Sequence, residues 1–301
     1  MNAAMEHRMK IGFIGLGRMG TAIAGRLLRH GFDLAVYNRT PEKAADLAKA
    51  GARVATSIAD VCGGRNVVIT MLADDAAIDA VVLGQGGVRD SLAAGAIHIA
   101  MGTHGVDAIR ALDAAHRQGG QQLVAAPVLG RPDAAEAGQL GIVAAGPAEA
   151  VAACQPVFDV IGKRTFKAGD GAAGAAAIKL SNNFLLGCCI EAMGEAFSLV
   201  RKYGVAPEVL YDVLTEGLFA APAYKVYGRL IVDEAYDKVG FATLLGLKDI
   251  NLVLAAGQAE RVPLPSASNL RDRLLGAIAH GDGDKDWAVV AREQARASGL
   301  E

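Results

Sequence analysis

The segment from Lys10 to Tyr37 constrains this chain most. An apolar run, KIGFI (Lys10 to Ile14), leads into Gly15-Leu16-Gly17-Arg18-Met19-Gly20. Ala24, Leu27 and Leu28 then recur at helical spacing as far as Gly31, and DLAVY (Asp33 to Tyr37) predicts a second strand. Strand, GxGxxG, helix and strand within about thirty residues is the context in which a glycine loop holds the pyrophosphate of a dinucleotide. Gly15 permits the tight turn, Gly17 lets the phosphate approach the backbone, and Gly20 lets the helix pack on the strand. The start of the helix offers unpaired amides to the anion.

The tip of the second strand bears on which dinucleotide. A carboxylate there accepts from the ribose hydroxyls of NAD. This chain instead carries Asn38-Arg39-Thr40. A guanidinium forks onto a 2′-phosphate, with Asn38 and Thr40 beside it, so the expected cofactor is NADP(H) in preference to NAD(H).

Alternation continues through NVVIT (Asn66 to Thr70), Ala96 to Ala100 and Gln122 to Ala125. In an open parallel sheet, ligands gather at the carboxyl ends of the strands. That places Met71 and Leu72, then Thr103, then the loop from Ala126 to Pro132 around the crevice. His104 follows Thr103 with no evident partner, and its expected role is inert. Leu140 to Ala145, a helix from Pro147 to Val160 and Thr165 to Lys167 complete a first domain of residues 1–170.

After Gly171 the strand pattern stops, and residues 171–301 read as all helical. GAAGAAAIKLSNNFLLGCCI (Gly171 to Ile190) is apolar except for Lys179, Asn182 and Asn183. At spacings of three and four residues these side chains share one face of a helix. A lysine in such company needs water, a polar pocket or a ligand. The two amides, with no evident protein acceptor, suit a substrate oxygen. The run is nearly long enough to span a membrane, but its polar trio and glycines favour a buried helix. The expected architecture is α/β: a Rossmann-type doubly wound sheet, then an all-α domain joined to it by a long interdomain helix.

Composition narrows the partners. A net charge of −2 gives no basic surface for nucleic acid or anionic membranes, and 5% aromatic residues give no stacking platform. Cys62, Cys154, Cys188 and Cys189 lack metal-ligand spacing, so no metal is expected and core packing is their role. The leading MNAAMEHR has no apolar core of a secretory signal. The expected location is the cytoplasm.

Four motifs, in order, make the chain resemble the β-hydroxyacid dehydrogenase family, within the superfamily of 6-phosphogluconate dehydrogenase. GFIGLGRMG (Gly12 to Gly20) is similar to its cofactor loop, APVLGRPDAAEAGQL (Ala126 to Leu140) to its substrate segment, KLSNN (Lys179 to Asn183) to its catalytic segment, and LKDINLVL (Leu247 to Leu254) to its C-terminal segment. The resemblance implies that Lys179 is the catalytic acid/base with Asn183 beside it. It also implies that Lys248 approaches the cofactor and that Leu129, Gly130, Arg131, Asn182 and Thr103 contact substrate. It implies a homodimer or homotetramer acting on a small hydroxyacid, semialdehyde or oxoacid. Asp249 gains nothing from it and reads as a helix-surface partner of Lys248. Tyr224, Tyr227 and Trp287 read as packing residues.

Two departures bear on substrate. The family's Pro-Val-Ser-Gly-Gly is here Pro127-Val128-Leu129-Gly130-Arg131, so a hydroxyl donor has become apolar and a guanidinium stands where a glycine was. Gly102 replaces a serine often found before Thr103. The rival readings are an imine reductase-like enzyme, against which Lys179 speaks, and a non-catalytic NADP-binding module.

Overall fold

The computed structural model describes residues 9–300; MNAAMEHR lies outside them. The chain divides into two compact units, Met1–Lys179 and Leu180–Glu301.

The first unit is built on β1 (Lys10–Ile14), β2 (Asp33–Tyr37), β3 (Arg53–Val54), β4 (Val67–Thr70), β5 (Ile97–Ala100) and β6 (Gln122–Ala125). They form one sheet in the order β3-β2-β1-β4-β5-β6, and every neighbouring pair is parallel. The order reverses beside β1, which opens a crevice at the carboxyl ends of β1 and β4.

The strands are largely apolar on both faces, as a sheet covered on two sides requires, with Thr70 and His98 as buried polar exceptions. Ile11, Phe13, Val36, Ile69, Ile99 and Val124 face one helical layer. Ile14, Ala35, Val68, Ala100, Leu123 and Ala125 face the other. Each fully buried aliphatic side chain contributes about 1.5–3 kcal/mol relative to exposure. Burial also pushes the thiol of Cys62 up to about 11 and that of Cys154 up to about 12, which leaves both as protonated packing groups.

Two local expectations are corrected. The helix read from Pro147 to Val160 is two helices, Ala148–Ala153 and Gln155–Ile161, joined at Cys154. Pro156 sits in the first turn of the second helix, where its missing N–H and its ring break the ladder of the first. The substrate-segment loop contains a short strand, β7 (Val128–Leu129). It pairs antiparallel with β8 (Leu140–Ala144), and β8 pairs parallel with β9 (Gly162–Lys167), making a separate three-stranded sheet. A two-residue strand has too little alternation to show in the sequence.

The second unit is all helical. The long helix Ala173–Lys202 leads into it, followed by Pro207–Glu216, Pro222–Val232, Thr243–Ala259, Pro265–Ala279 and Val290–Ala297. Among the described residues the long helix is the one whose length and composition suit a membrane span, and 44% of its apolar window is buried within the protein. Gly187 explains part of that burial: a methyl group there would come within 2.5 Å of Leu270 and 3.3 Å of Trp287. Trp287 and Tyr227 are buried, packed edge to face at 6.2 Å, with Phe241 on the indole at 4.9 Å. Tyr224 is half-buried against Phe219.

Candidate active site

In the first unit the glycine loop is shaped by close contacts. Gly15 has φ +99°, and a Cβ there would strike the Met71 carbonyl. A Cβ on Gly20 would collide with the Gly15 carbonyl oxygen. Gly17 is different: among the described residues nothing lies within 4 Å of the place its Cβ would occupy. It is also the N-cap of helix Arg18–Arg29, which has no side-chain cap and no acidic residue in its first turn. An open cradle at an uncapped, unneutralised helix N-terminus fits a pyrophosphate.

Asn38 bonds the backbone at both ends of its amide. Its Oδ1 accepts from the Leu16 amide at 2.9 Å and its Nδ2 donates to the Thr40 carbonyl at 3.0 Å. It wires the glycine loop to the turn after β2, leaving Arg39 and Thr40 exposed beside it.

At the ends of β4 and β5, Met71 and Leu72 are half-buried, as is Thr103. His104 is buried and does have a partner, which corrects the reading of it as alone. Its Nδ1 lies 3.2 Å from Oδ1 of Asp75, and the same carboxylate accepts from the Gly105 amide at 3.0 and 3.2 Å. Nε2 of His104 is buried with no hydrogen-bond partner among the described residues. Sequence could not show this, because the partner lies 29 residues away.

Lys179 closes the first unit. Its Nζ donates to the Val128 carbonyl at 2.9 Å, which brings the lysine to the strand that carries Leu129. Beside it, Gly130 has φ +139°, and a Cβ there would come 2.8 Å from Leu140. Leu129 and Arg131 are half-buried, and Arg131 is the N-cap of helix Pro132–Ala137.

In the second unit, Asn182 is exposed and Asn183 is buried. The expectation that these amides lack a protein acceptor is corrected. Asn183 Nδ2 donates to Asp249 Oδ2 at 2.6 Å, and Asn182 Nδ2 donates to Asn183 Oδ1 at 3.2 Å. Asp249 is fully buried and pairs with Lys248 at 2.9 Å, so it is no surface partner. It is the buried partner of Asn183 that the sequence reading missed. The available signal was the acid beside Lys248 in a helix whose other neighbours, Asn251 apart, are apolar. Among the described residues no group of three or more His, Cys, Asp or Glu side chains could hold a metal ion.

The sheet order, the open glycine cradle and the crevice beyond it define a nicotinamide-dinucleotide-binding oxidoreductase fold. A family model described as the NAD binding domain of 6-phosphogluconate dehydrogenase matches residues 10–169. A second, described as "NAD-binding of NADP-dependent 3-hydroxyisobutyrate dehydrogenase", matches residues 172–293. The chain is 41% identical to an uncharacterized oxidoreductase, YfjR, of Bacillus subtilis, over 94% of this chain and 99% of that one. It is 35% identical to glyoxylate/succinic semialdehyde reductase 1 of Arabidopsis thaliana, over 94% and 97% of the two chains. The solved structure of 3-hydroxyisobutyrate dehydrogenase from Mycobacterium tuberculosis with L-serine superposes with a TM-score of 0.86 at 26% identity, covering 95% of this chain and 99% of that one. The chain belongs to the β-hydroxyacid dehydrogenase family and is an NAD(P)-dependent oxidoreductase.

Proposed function

We propose that the protein is an NADP(H)-preferring reductase of small carbonyl acids (semialdehydes or oxoacids), with Lys179 as the general acid/base. The observation that carries this reading is the Lys179 Nζ contact to the Val128 carbonyl, which holds the amine beside the Leu129–Arg131 loop. The bound cofactor supplies or accepts hydride at the substrate carbon. Gly17 and the amides that begin helix Arg18–Arg29 hold its pyrophosphate, and Arg39 with Thr40 takes the 2′-phosphate. Lys179 gives a proton to the substrate oxygen as the ammonium and takes it back as the amine in the reverse direction. The Val128 carbonyl keeps the amine in place for that exchange.

Arg131 supplies the cation for a substrate carboxylate in place of a serine hydroxyl. Asn183 gives one amide hydrogen to Asp249 and retains a second for the oxygen on which charge develops. The second unit exposes large apolar side chains, among them Leu185, Leu199, Val213 and Leu218. Such a surface supports association into a homodimer or homotetramer.

The test is NADPH and NADH oxidation by the purified protein with glyoxylate, succinic semialdehyde, tartronate semialdehyde, methylmalonate semialdehyde and a cyclic imine. Turnover of a carbonyl acid with NADPH supports the reading. Turnover of the imine alone would replace it with the imine reductase alternative.

A further inference from the structure

Behind the carboxyl edge of the sheet runs a line of buried polar side chains that the proposed chemistry does not use. Thr70 Oγ1, the last side chain of β4, lies 2.9 Å from His98 Nε2 on β5. His98 Nδ1 lies 2.9 Å from Nε2 of His116, on helix Val106–Gln118, and His116 Nδ1 lies 2.7 Å from Gln121 Oε1. All four residues are buried.

The far end fixes every proton in the line. Gln121 Nε2 donates to the carbonyls of Arg89 and Leu92, so its Oε1 faces His116 as an acceptor. His116 must therefore carry its proton on Nδ1 and present a lone pair at Nε2. By the same step His98 is protonated on Nδ1 and accepts at Nε2, and the Thr70 hydroxyl donates to it. The chain has one direction, and it exists only with both rings neutral.

We propose that this relay holds the ends of β4 and β5 in their cofactor-binding geometry while both imidazoles are neutral, and that uptake of a single proton reverses it and weakens cofactor binding. The inference rests on the cofactor reading given above. A proton arriving at His116 Nε2 requires the His98 proton to move from Nδ1 to Nε2. Thr70 Oγ1 then changes from donor to acceptor, and its own hydrogen must find a new partner. Thr70 is joined to Met71, whose carbonyl abuts Gly15, the first glycine of the loop. The reversal is thus delivered where the cradle is set. His98 and His116 are positioning residues.

The groups facing the pair act on an added charge in both directions. His98 meets Thr70, His116 and the nearby His104, whose own Nδ1 is bonded to Asp75. His116 meets His98 and Gln121, with Asp113 favouring its charged form and Arg89 opposing it.

Nitrogen-15 NMR of the wild-type protein at pH 7.5 tests the relay directly. Of the six histidines, His98 and His116 should both show the Nδ1–H tautomer, with a through-hydrogen-bond coupling between His98 Nδ1 and His116 Nε2. An Nε2–H tautomer at either ring would overturn the relay. Its coupling to the cofactor is tested by calorimetric NADP⁺ binding at pH 7.5 and pH 5.5, comparing wild type with Thr70→Val. Wild type should lose affinity on acidification, and the variant should lose measurably less. Equal losses would overturn the coupling. Absence of NADP⁺ binding by wild type at pH 7.5 would overturn the cofactor reading and the coupling together, with the tautomers still reporting on the relay.

Discussion

Asn183 donates to Asp249 at 2.6 Å between two helices of the second unit, and Asp249 is buried without residual exposure. The long helix therefore presents an amide tied by a fully desolvated carboxylate, one turn beyond Lys179. Truncating one partner of a buried charged hydrogen bond leaves the other unsatisfied. Asp249→Ala is expected to cost about 3 kcal/mol in urea unfolding. Combined with Asn183→Ala, the double variant should be more stable than the two single losses sum to, by about 1–3 kcal/mol. Strict additivity would mean the contact carries no coupling.

The glycine loop separates two kinds of effect. Gly17→Ala meets no atom of the described residues, so melting temperature should shift by less than about 2 °C while NADP⁺ affinity falls tenfold or more. Gly20→Ala drives a methyl into the Gly15 carbonyl and should destabilise the first unit by about 1–3 kcal/mol. Circular dichroism melts and calorimetric titration, run side by side, check both. Equal loss of stability in the two variants would contradict the picture of an open cradle at Gly17.

Acid stability follows from the buried histidines. Desolvation holds His98 well below its ordinary value and His116 below it, so the unfolded chain binds these protons first. Unfolding stability should then fall as pH drops below about 6.5, by at most about 2.7 kcal/mol per pH unit for two such protons. Glu191 in the second unit acts with the opposite sign. Burial pushes its carboxyl up to about 7, so the folded state holds that proton while the unfolded state has lost it, and stability rises as pH falls from about 7 toward 4.5. Urea midpoints from pH 8 to pH 5 in a Glu191→Gln background isolate the histidine contribution. A midpoint that does not decline below pH 6.5 would contradict it.

Much of the fold was legible because its determinants are local. KIGFI, the glycine loop and DLAVY lie within thirty residues, and strands apolar on both faces announce a covered parallel sheet. β7 was not legible, because Val128 and Leu129 become a strand only by pairing with Ile142 and Gly141. The helix break at Cys154 could have been found from Pro156 alone. The site divides the same way. Lys179 and Asn183 stood out by spacing on an apolar helix, whereas Asp249, 66 residues from Asn183, and Asp75, 29 residues from His104, acquire their roles only in three dimensions. Asn38 was read toward the cofactor, yet both ends of its amide are engaged by the backbone.

The most direct measurement is NADPH oxidation with a carbonyl acid that wild type reduces, comparing wild type with Lys179→Ala, alongside NADPH binding by fluorescence. Loss of turnover by roughly 10²-fold or more, with NADPH affinity unchanged within about threefold, is the expected result. Near-full turnover by Lys179→Ala would contradict the assignment of Lys179 as the proton donor.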